Sequence, residues 1–235
     1  MNFNNYYNRE IINMNTEVTN AFVRKVMSYM ISGLILTTLV PLYLFFFNYE
    51  LVITLTRYFQ IIAIAEVALV LFLSFRINKI SPVTAKLVFF LYSLMNGILF
   101  SSLAFIFHPM SILYTLGITV IMFIVIGVYG YTTKEDLTKY SKFFMTGLIT
   151  IILISLINIF LKAPMLYWVG TILGVVIFSG LIAFDLNRIK YIAYNIADND
   201  KEMIEKMGII GALNLYLDFI NLFLYLLRIF GKKRN

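Results

Sequence analysis

Seven long apolar segments dominate this chain and constrain its fold more than any other feature. A helix that crosses a membrane needs about 20 mostly apolar residues in succession. The segments cover residues 26–47, 58–75, 85–107, 112–131, 143–161, 166–186 and 208–230. Because the links between them are short, neighbouring helices should pair as antiparallel hairpins. The sequence therefore predicts an all-α integral membrane protein with seven transmembrane helices.

The composition agrees with this class. Only 13% of the 235 residues are charged, whereas soluble domains average about 25%. The net charge of +7 comes mostly from basic residues in the links, which is a topology signal and gives no reason to expect a nucleic-acid partner. We expect a polar N-terminal segment (1–23), one transmembrane domain (24–231) and a basic tail (232–235), with no signal peptide.

Basic residues are distributed unevenly between the two sets of links. Thirteen belong to the N-terminal segment, the links after the second, fourth and sixth spans, or their immediate flanks: Arg9, Arg24, Lys25, Arg76, Lys79, Lys86, Lys134, Lys139, Lys142, Arg188, Lys190, Lys201 and Lys206. The other three links hold only Arg57 and Lys162. Positive charge concentrates on the cytoplasmic side of membrane proteins, which predicts a cytoplasmic N-terminus in the plasma or inner membrane. Seven crossings would then place the basic tail outside, against this charge distribution. The alternative is that the last segment is re-entrant and does not cross the membrane.

The last apolar segment carries a polar stripe. Its members follow one another at spacings of 4, 3, 4 and 3 residues and therefore share one helix face: Asn214, Asp218, Asn221, Tyr225 and Arg228. A charged group within a bilayer is costly, so it normally faces a bundle interior or a water path and has a partner. The stripe predicts that this helix lines the interior of the protein.

Three acidic residues lie within the spans, namely Glu66, Asp185 and Asp218. Asp185 lies near the cytoplasmic end of the sixth span. It would meet Asp218 if the last two helices were neighbours and the last helix began before residue 208. Two carboxyl groups in contact share a proton and titrate as a unit. Such a pair would form a proton-sensitive latch.

Two arginines are candidate partners for these acids. Arg76, at the end of the second span, is placed to reach the aspartate pair, and Arg228 is placed to pair with Glu66. Ion pairs that only fix helix packing are the alternative interpretation of both pairs.

The residue patterns that common enzymatic mechanisms require are missing from the sequence, so no enzymatic activity is expected. Neither aspartate stands in the Gly-x-Gly-Asp context of an intramembrane aspartyl protease, and a serine protease would need a Ser–His pair. The only histidine, His108, lies in a turn before Pro109. No His or Cys cluster could hold a transition metal, and no nucleotide-binding glycine pattern is present. We expect no tightly bound cofactor.

Three strings resemble a known family. FSGLIAFDLNRIK (178–190) and LNLYLDFINLFLYLLRIFG (213–231) look like signature segments of the transmembrane Bax inhibitor motif family, in particular of its bacterial calcium-leak members. AEVALVLF (65–72) resembles the second span of those proteins. The resemblance extends from about residue 24 to residue 231.

The resemblance implies a fold and a mechanism. The fold is three helical hairpins around a central seventh helix. The paired aspartates of the family correspond to Asp185 and Asp218, and the arginine that engages them corresponds to Arg76. Glu66 and Arg228 correspond to the acid beside the pore and its basic partner. The implied activity is a pH-sensitive leak of Ca²⁺, which is the transported ion.

On this reading Asp218, Glu66 and Asp185 are candidate Ca²⁺ ligands, since Ca²⁺ prefers hard oxygen ligands. Asn214 and Asn221 complete a candidate ion path with Glu66 and Arg228. Ca²⁺, protons and membrane lipid are the expected partners, and a monomer is favoured.

Two other functions stay open. Some bacterial relatives bind and modulate a membrane-bound protease. In such an interaction protein the carboxylates would be structural, and the N-terminal segment or the link 187–206 would be the working surface. A proton-coupled carrier would use the same carboxylates but would need a substrate pocket.

Overall fold

A computed structural model describes residues 3–195 and 201–234 of the chain. Nine α-helices account for most of this part. They are α1 (Phe3–Phe47), α2 (Tyr49–Arg57), α3 (Phe59–Arg76), α4 (Pro82–Ser101), α5 (Leu103–Ile106), α6 (Pro109–Thr132), α7 (Ser141–Leu161), α8 (Pro164–Asn195) and α9 (Lys201–Phe230). Two short 3₁₀ turns lie at Ile77–Lys79 and Leu137–Tyr140.

Seven stretches of helix in the described residues are long and apolar enough to cross a membrane. They are Glu17–Phe47, Phe59–Arg76, Pro82–Ile106, Pro109–Thr132, Leu137–Leu161, Pro164–Ala193 and Glu202–Phe230. Lipid offers the backbone no hydrogen-bonding partner, so apolar segments of this length satisfy their own N–H and C=O groups as helices. The predicted fold class, an all-α integral membrane protein with seven spans, is confirmed.

Several helices extend beyond the predicted spans. Helix α1 begins at Phe3 and so includes most of the polar N-terminal segment. Helices α8 and α9 contain 32 and 30 residues, about 45 Å or more each at 1.5 Å per residue, against roughly 30 Å of hydrocarbon. The predicted link 187–206 is mostly a continuation of these two helices. Its residues 196–200 lie outside the described part of the chain.

The chain divides into two compact units. The first comprises Met1–Ile98 and Ile189–Leu213, and the second comprises Leu99–Arg188 and Asn214–Asn235.

In the first unit, small residues bring α1 and α4 close together. A methyl group added at Gly33 would come within 2.8 Å of the Phe89 ring and of Ser93 Oγ. The Thr37 hydroxyl donates a 2.8 Å hydrogen bond to the backbone carbonyl of Ser93. Polar hydroxyls and glycine are the usual means by which membrane helices approach closely.

The start of α9 belongs to the same unit and is held by charge. Glu205 forms ion pairs with Lys86 of α4 and, at 3.8 Å, with Lys25 of α1. It also accepts a 3.3 Å hydrogen bond from the Tyr29 hydroxyl. One carboxylate therefore ties α9 to two other helices.

In the second unit, glycines allow α8 to pack tightly. A Cβ at Gly130 of α6 would collide with the backbone carbonyl oxygen of Ala183, and a Cβ at Gly174 would lie 2.6 Å from the Tyr225 ring. Gly174 thus faces α9, whereas Gly170, four residues earlier on α8, faces Ile154 of α7.

Helix α9 is the most buried of the spans. In its most apolar 18-residue window 72% of the residues are buried, against 61% for α8 and 6% for the span that contains α7. Aromatic rings contribute in the second unit, where Phe219 packs edge-on against Phe123. Asp218 and Tyr225 of the polar stripe are among the buried residues, whereas Arg228 at the end of the helix is exposed. The charged middle of the stripe is therefore not exposed to lipid.

Candidate functional site

A hydrogen-bonded pair of aspartates lies within the second unit. Asp185 of α8 and Asp218 of α9 are only 7% and 5% exposed, and their carboxyl groups are hydrogen-bonded to each other. A carboxylate has no hydrogen to donate, so this bond requires one of the two groups to be protonated. The predicted meeting of the two side chains is therefore present in the structure, because α9 begins at Lys201, before the predicted residue 208.

The pair is incompletely satisfied. The Asp218 Oδ2 atom is buried and has no hydrogen-bond partner among the described residues. Leaving a buried acceptor unpaired costs about 1–3 kcal/mol, and more if the group is charged. Ionisation of both groups would add this cost to the repulsion between two buried carboxylates.

One cation acts on the pair from the same unit. Arg188 follows Asp185 by three residues on α8, and its charge interacts with the Asp185 carboxyl group. Residues three apart share a helix face. We did not predict this neighbour, although the spacing in Asp-Leu-Asn-Arg contained the signal.

Asn187 fixes the segment of α8 that carries Asp185. Its side chain is fully buried, and its Oδ1 accepts a 3.0 Å hydrogen bond from the backbone N–H of Leu137. Its Nδ2 donates to the carbonyls of Gly130 and Glu135, at 3.3 and 3.1 Å. These bonds join α8 to the link that follows α6.

Asp136 stabilises the same link. It accepts hydrogen bonds from the hydroxyl and the backbone N–H of Thr138, which lower the pKa of the Asp136 carboxyl group. Because the pKa is lowered by folding, any stabilisation is present above the pKa of the unfolded chain and is lost as the pH falls through the folded value. This carboxylate therefore stays ionised around neutral pH.

Glu66 has partners that we did not predict. It is half-buried on α3 and is hydrogen-bonded to the side chains of Tyr92 and Asn96 of α4. Tyr92 and Asn96 are four residues apart and are 6% and 4% exposed. Their spacing places them on one face of α4, but nothing in the sequence indicated that this face meets Glu66.

Arg228 stacks on aromatic rings at the end of α9. Its guanidinium lies 4.8 Å from the centre of the Tyr225 ring and 5.7 Å from that of Tyr167. Such cation–π contacts are stabilising, the more so where water is excluded. The predicted pairing of Arg228 with Glu66 stays a prediction, because the two residues belong to different units.

The remaining predicted residues are placed as follows. Arg76 is the exposed last residue of α3 in the first unit, so its predicted engagement of the aspartate pair also stays a prediction. Asn221 donates a 2.8 Å hydrogen bond to the carbonyl of Leu217 in its own helix. Asn214 is half-buried on α9.

No group of three or more His, Cys, Asp or Glu side chains comes together within the described ranges. The carboxyl groups of Asp185 and Asp218 form a pair. Two carboxyl groups fall short of the six to eight oxygen ligands of a high-affinity calcium site.

Seven apolar spans with a buried pair of carboxyl groups define a polytopic helical membrane protein. The model of the family described as "Inhibitor of apoptosis-promoting Bax1" matches residues 19–235. The chain belongs to this Bax inhibitor family.

Curated relatives agree with this membership. The inner membrane protein YbhL of Escherichia coli K12 is 41% identical over 217 residues, which are 91% of this chain and 92% of the relative. A protein of Borreliella burgdorferi is 44% identical over 177 residues, or 75% of this chain and 76% of the relative. A membrane protein of Streptococcus pyogenes is 35% identical over 170 residues, or 72% of each chain.

Proposed function

We propose that this protein is a pH-sensitive calcium leak channel, gated by the pair of Asp185 and Asp218. The observation that carries the proposal is the hydrogen bond between these two buried carboxyl groups. A bond that exists only while a proton is shared makes the contact between two membrane helices depend on pH.

The gate works as a two-state equilibrium. In the closed state a shared proton joins α9 to α8. Loss of that proton leaves two carboxylates in contact, and their repulsion favours a state in which they separate. The population of the separated state then follows the protonation of the pair.

Anchoring of α8 supports a division of roles within the gate. Asn187 and the close contact of Gly130 with Ala183 hold α8 against α6. Asp185 is therefore the fixed partner and Asp218 the partner that separates. Arg76 is included in the proposed gate on the family resemblance alone.

The ion path uses oxygen ligands along the interior. Glu66, Asn214 and Asn221 offer carboxylate and amide oxygens of the kind that Ca²⁺ prefers, and Arg228 balances charge at the end of α9. Weak, successive binding is what conduction needs, since an ion has to leave each site it enters. Ca²⁺ is the cargo of this path.

The orientation follows from the basic links. We place the N-terminus in the cytoplasm and the protein in the plasma or inner membrane, in agreement with the positive charge of the links after even-numbered spans. One relative carries the description "inner membrane protein".

Calcium flux into liposomes that contain only the purified protein tests the proposal. Liposomes with a trapped calcium indicator should take up Ca²⁺ faster than protein-free liposomes, and the rate should change with pH. Uptake no faster than in protein-free liposomes at every pH would refute the leak. It would favour the alternative of an interaction protein that modulates a membrane-bound protease.

A further inference from the structure

The basic tail is docked onto the turn between α5 and α6. Phe107 and Lys233 form an antiparallel bridge. The backbone N–H of His108 donates to the carbonyl of Lys232 at 2.8 Å, and that of Arg234 donates to the carbonyl of Ile106 at 2.9 Å. The N–H of Lys232 donates to the Ser111 hydroxyl at 3.1 Å. The tail backbone therefore has a defined position beside the end of α9.

A glycine makes this docking possible. A Cβ at Gly231 would lie 2.6 Å from an edge atom of the Phe107 ring and would collide with the carbonyl oxygen of Leu227. Gly231 thus lets the chain leave α9 and pack directly against Phe107, in the turn between α5 and α6.

The docking uses the backbone and leaves the charges free to face outward. Lys232, Lys233 and Arg234 are exposed, and one bond from the Arg234 guanidinium to the Ala104 carbonyl is the only side-chain hydrogen bond that these three make with the described residues. Arg228, three residues before Gly231, lies at the same end of α9 and is also exposed. We refer to these four cations at the end of the chain as the C-terminal basic patch.

Carboxylates of the same unit lie away from this patch. Glu135 and Asp136 come after the C-terminal end of α6, whereas the turn that holds the tail precedes its N-terminal end. Asp218 precedes Arg228 by ten residues on α9, which is about 15 Å at 1.5 Å per residue. Asp185 interacts with Asp218 and so lies away from the patch as well. None of the four carboxylates in the described residues of this unit is therefore placed to neutralise the patch.

Aromatic residues indicate where the patch lies in the bilayer. The Arg228 guanidinium packs on Tyr167 at 5.7 Å, and the Tyr167 ring lies 6.0 Å from that of Trp168. Both rings are exposed near the start of α8. Exposed Tyr and Trp at helix ends lie at the level of the lipid headgroups, so the cations are at the depth of lipid phosphates.

We propose that the C-terminal basic patch is a binding site for the headgroups of anionic phospholipids in the leaflet at the C-terminal end of α9. The backbone bonds hold the cations in place, and headgroup phosphates supply the missing counter-charge. This accounts for a basic tail that runs against the charge distribution of the links. Of these four cations only Arg228 also belongs to the proposed ion path, so the tail cations can be removed without changing that path.

Trp168 makes the site measurable, because it is the only tryptophan of the chain. The full-length protein is reconstituted in vesicles in which either phosphatidylglycerol or phosphatidylcholine carries brominated acyl chains that quench tryptophan. We expect stronger quenching of Trp168 by the brominated anionic lipid at equal content. Equal quenching by the two lipids in the wild-type protein would overturn the proposal.

Charge removal on the patch is compared with the same removal elsewhere. The variant K232Q/K233Q/R234Q should lose the preference, whereas K134Q/K139Q/K142Q, with three cations removed around the link after α6, should keep it. A preference that survives in the first variant, or that both variants lose, would contradict a specific site. If the triple variant fails to fold, Lys233→Gln alone should lower the apparent affinity for the anionic lipid about fivefold at low salt.

Inorganic phosphate distinguishes lipid from a small anion. Added to the wild-type vesicles at constant ionic strength, it should leave the quenching preference unchanged. Loss of the preference would identify a site for free phosphate and overturn the lipid assignment.

Discussion

Asn187 follows Asp185 by two residues on α8, and its side chain accepts a hydrogen bond from the backbone N–H of Leu137. The same amide donates to two further carbonyls. One buried side chain thus satisfies one backbone group at the end of α6 and two in the link that follows it, and it fixes the helix that carries Asp185.

Asn187→Ala should therefore destabilise the protein. It leaves three backbone groups without their partner, and each buried unpaired group costs about 1–3 kcal/mol. Thermal unfolding in detergent measures the effect. Asn158→Ala is the matched control, since the Asn158 side chain accepts one bond, from the backbone N–H of Ala163. Equal losses of stability in the two variants would contradict the role assigned to Asn187.

Two glycines of α6 give a second matched pair. Gly130→Ala should lower the melting temperature, because its methyl group would lie 2.6 Å from the Ala183 Cα atom, and backbone cannot move aside as a side chain can. Gly117→Ala has no atom within 4 Å of its new methyl group and should be neutral or stabilising by about 0.5–1 kcal/mol. Identical melting curves for the two variants would show that α6 and α8 are not packed as described.

Glu66→Gln separates charge from hydrogen bonding. The amide oxygen of glutamine still accepts from Tyr92 and Asn96, so the fold should be retained. If the Glu66 carboxylate lines the ion path, calcium flux per folded molecule should fall at every pH while the midpoint of the pH response stays unchanged. Tyr92→Phe is the control, because it removes a hydrogen bond to Glu66 and leaves the charge. Unchanged flux in Glu66→Gln would remove Glu66 from the path.

Topology can be tested with single cysteines, because the chain has none of its own. Lys233 lies beside the turn before α6, and Lys134 lies beyond the opposite end of that helix. In intact cells a membrane-impermeant maleimide should label Lys233→Cys at once and Lys134→Cys only after permeabilisation. The reverse order would invert the proposed orientation, and labelling of both from one side would exclude α6 as a crossing.

The spans were predictable because a bilayer sets a length and a polarity that the sequence has to match. The polar stripe likewise indicated that Asp218 faces other helices. The contact between Asp185 and Asp218 was predicted on the condition that α9 begins before residue 208, and α9 begins at Lys201. The partners of Glu66 were not predictable, since they depend on which face α4 turns towards α3. The position of the docked tail could not be predicted either, because its hydrogen bonds come from backbone groups that every sequence provides.

The Asp218→Asn variant tests the central claim most directly. Asparagine keeps the size of the side chain and can hydrogen-bond to Asp185, but it cannot ionise. Calcium uptake by liposomes is measured against pH for the wild type, for Asp218→Asn and for Asp136→Asn, the last a carboxylate outside the pair. The account predicts that the pH dependence of uptake flattens in Asp218→Asn and persists in Asp136→Asn. A folded Asp218→Asn protein with the wild-type pH profile would contradict gating by the aspartate pair.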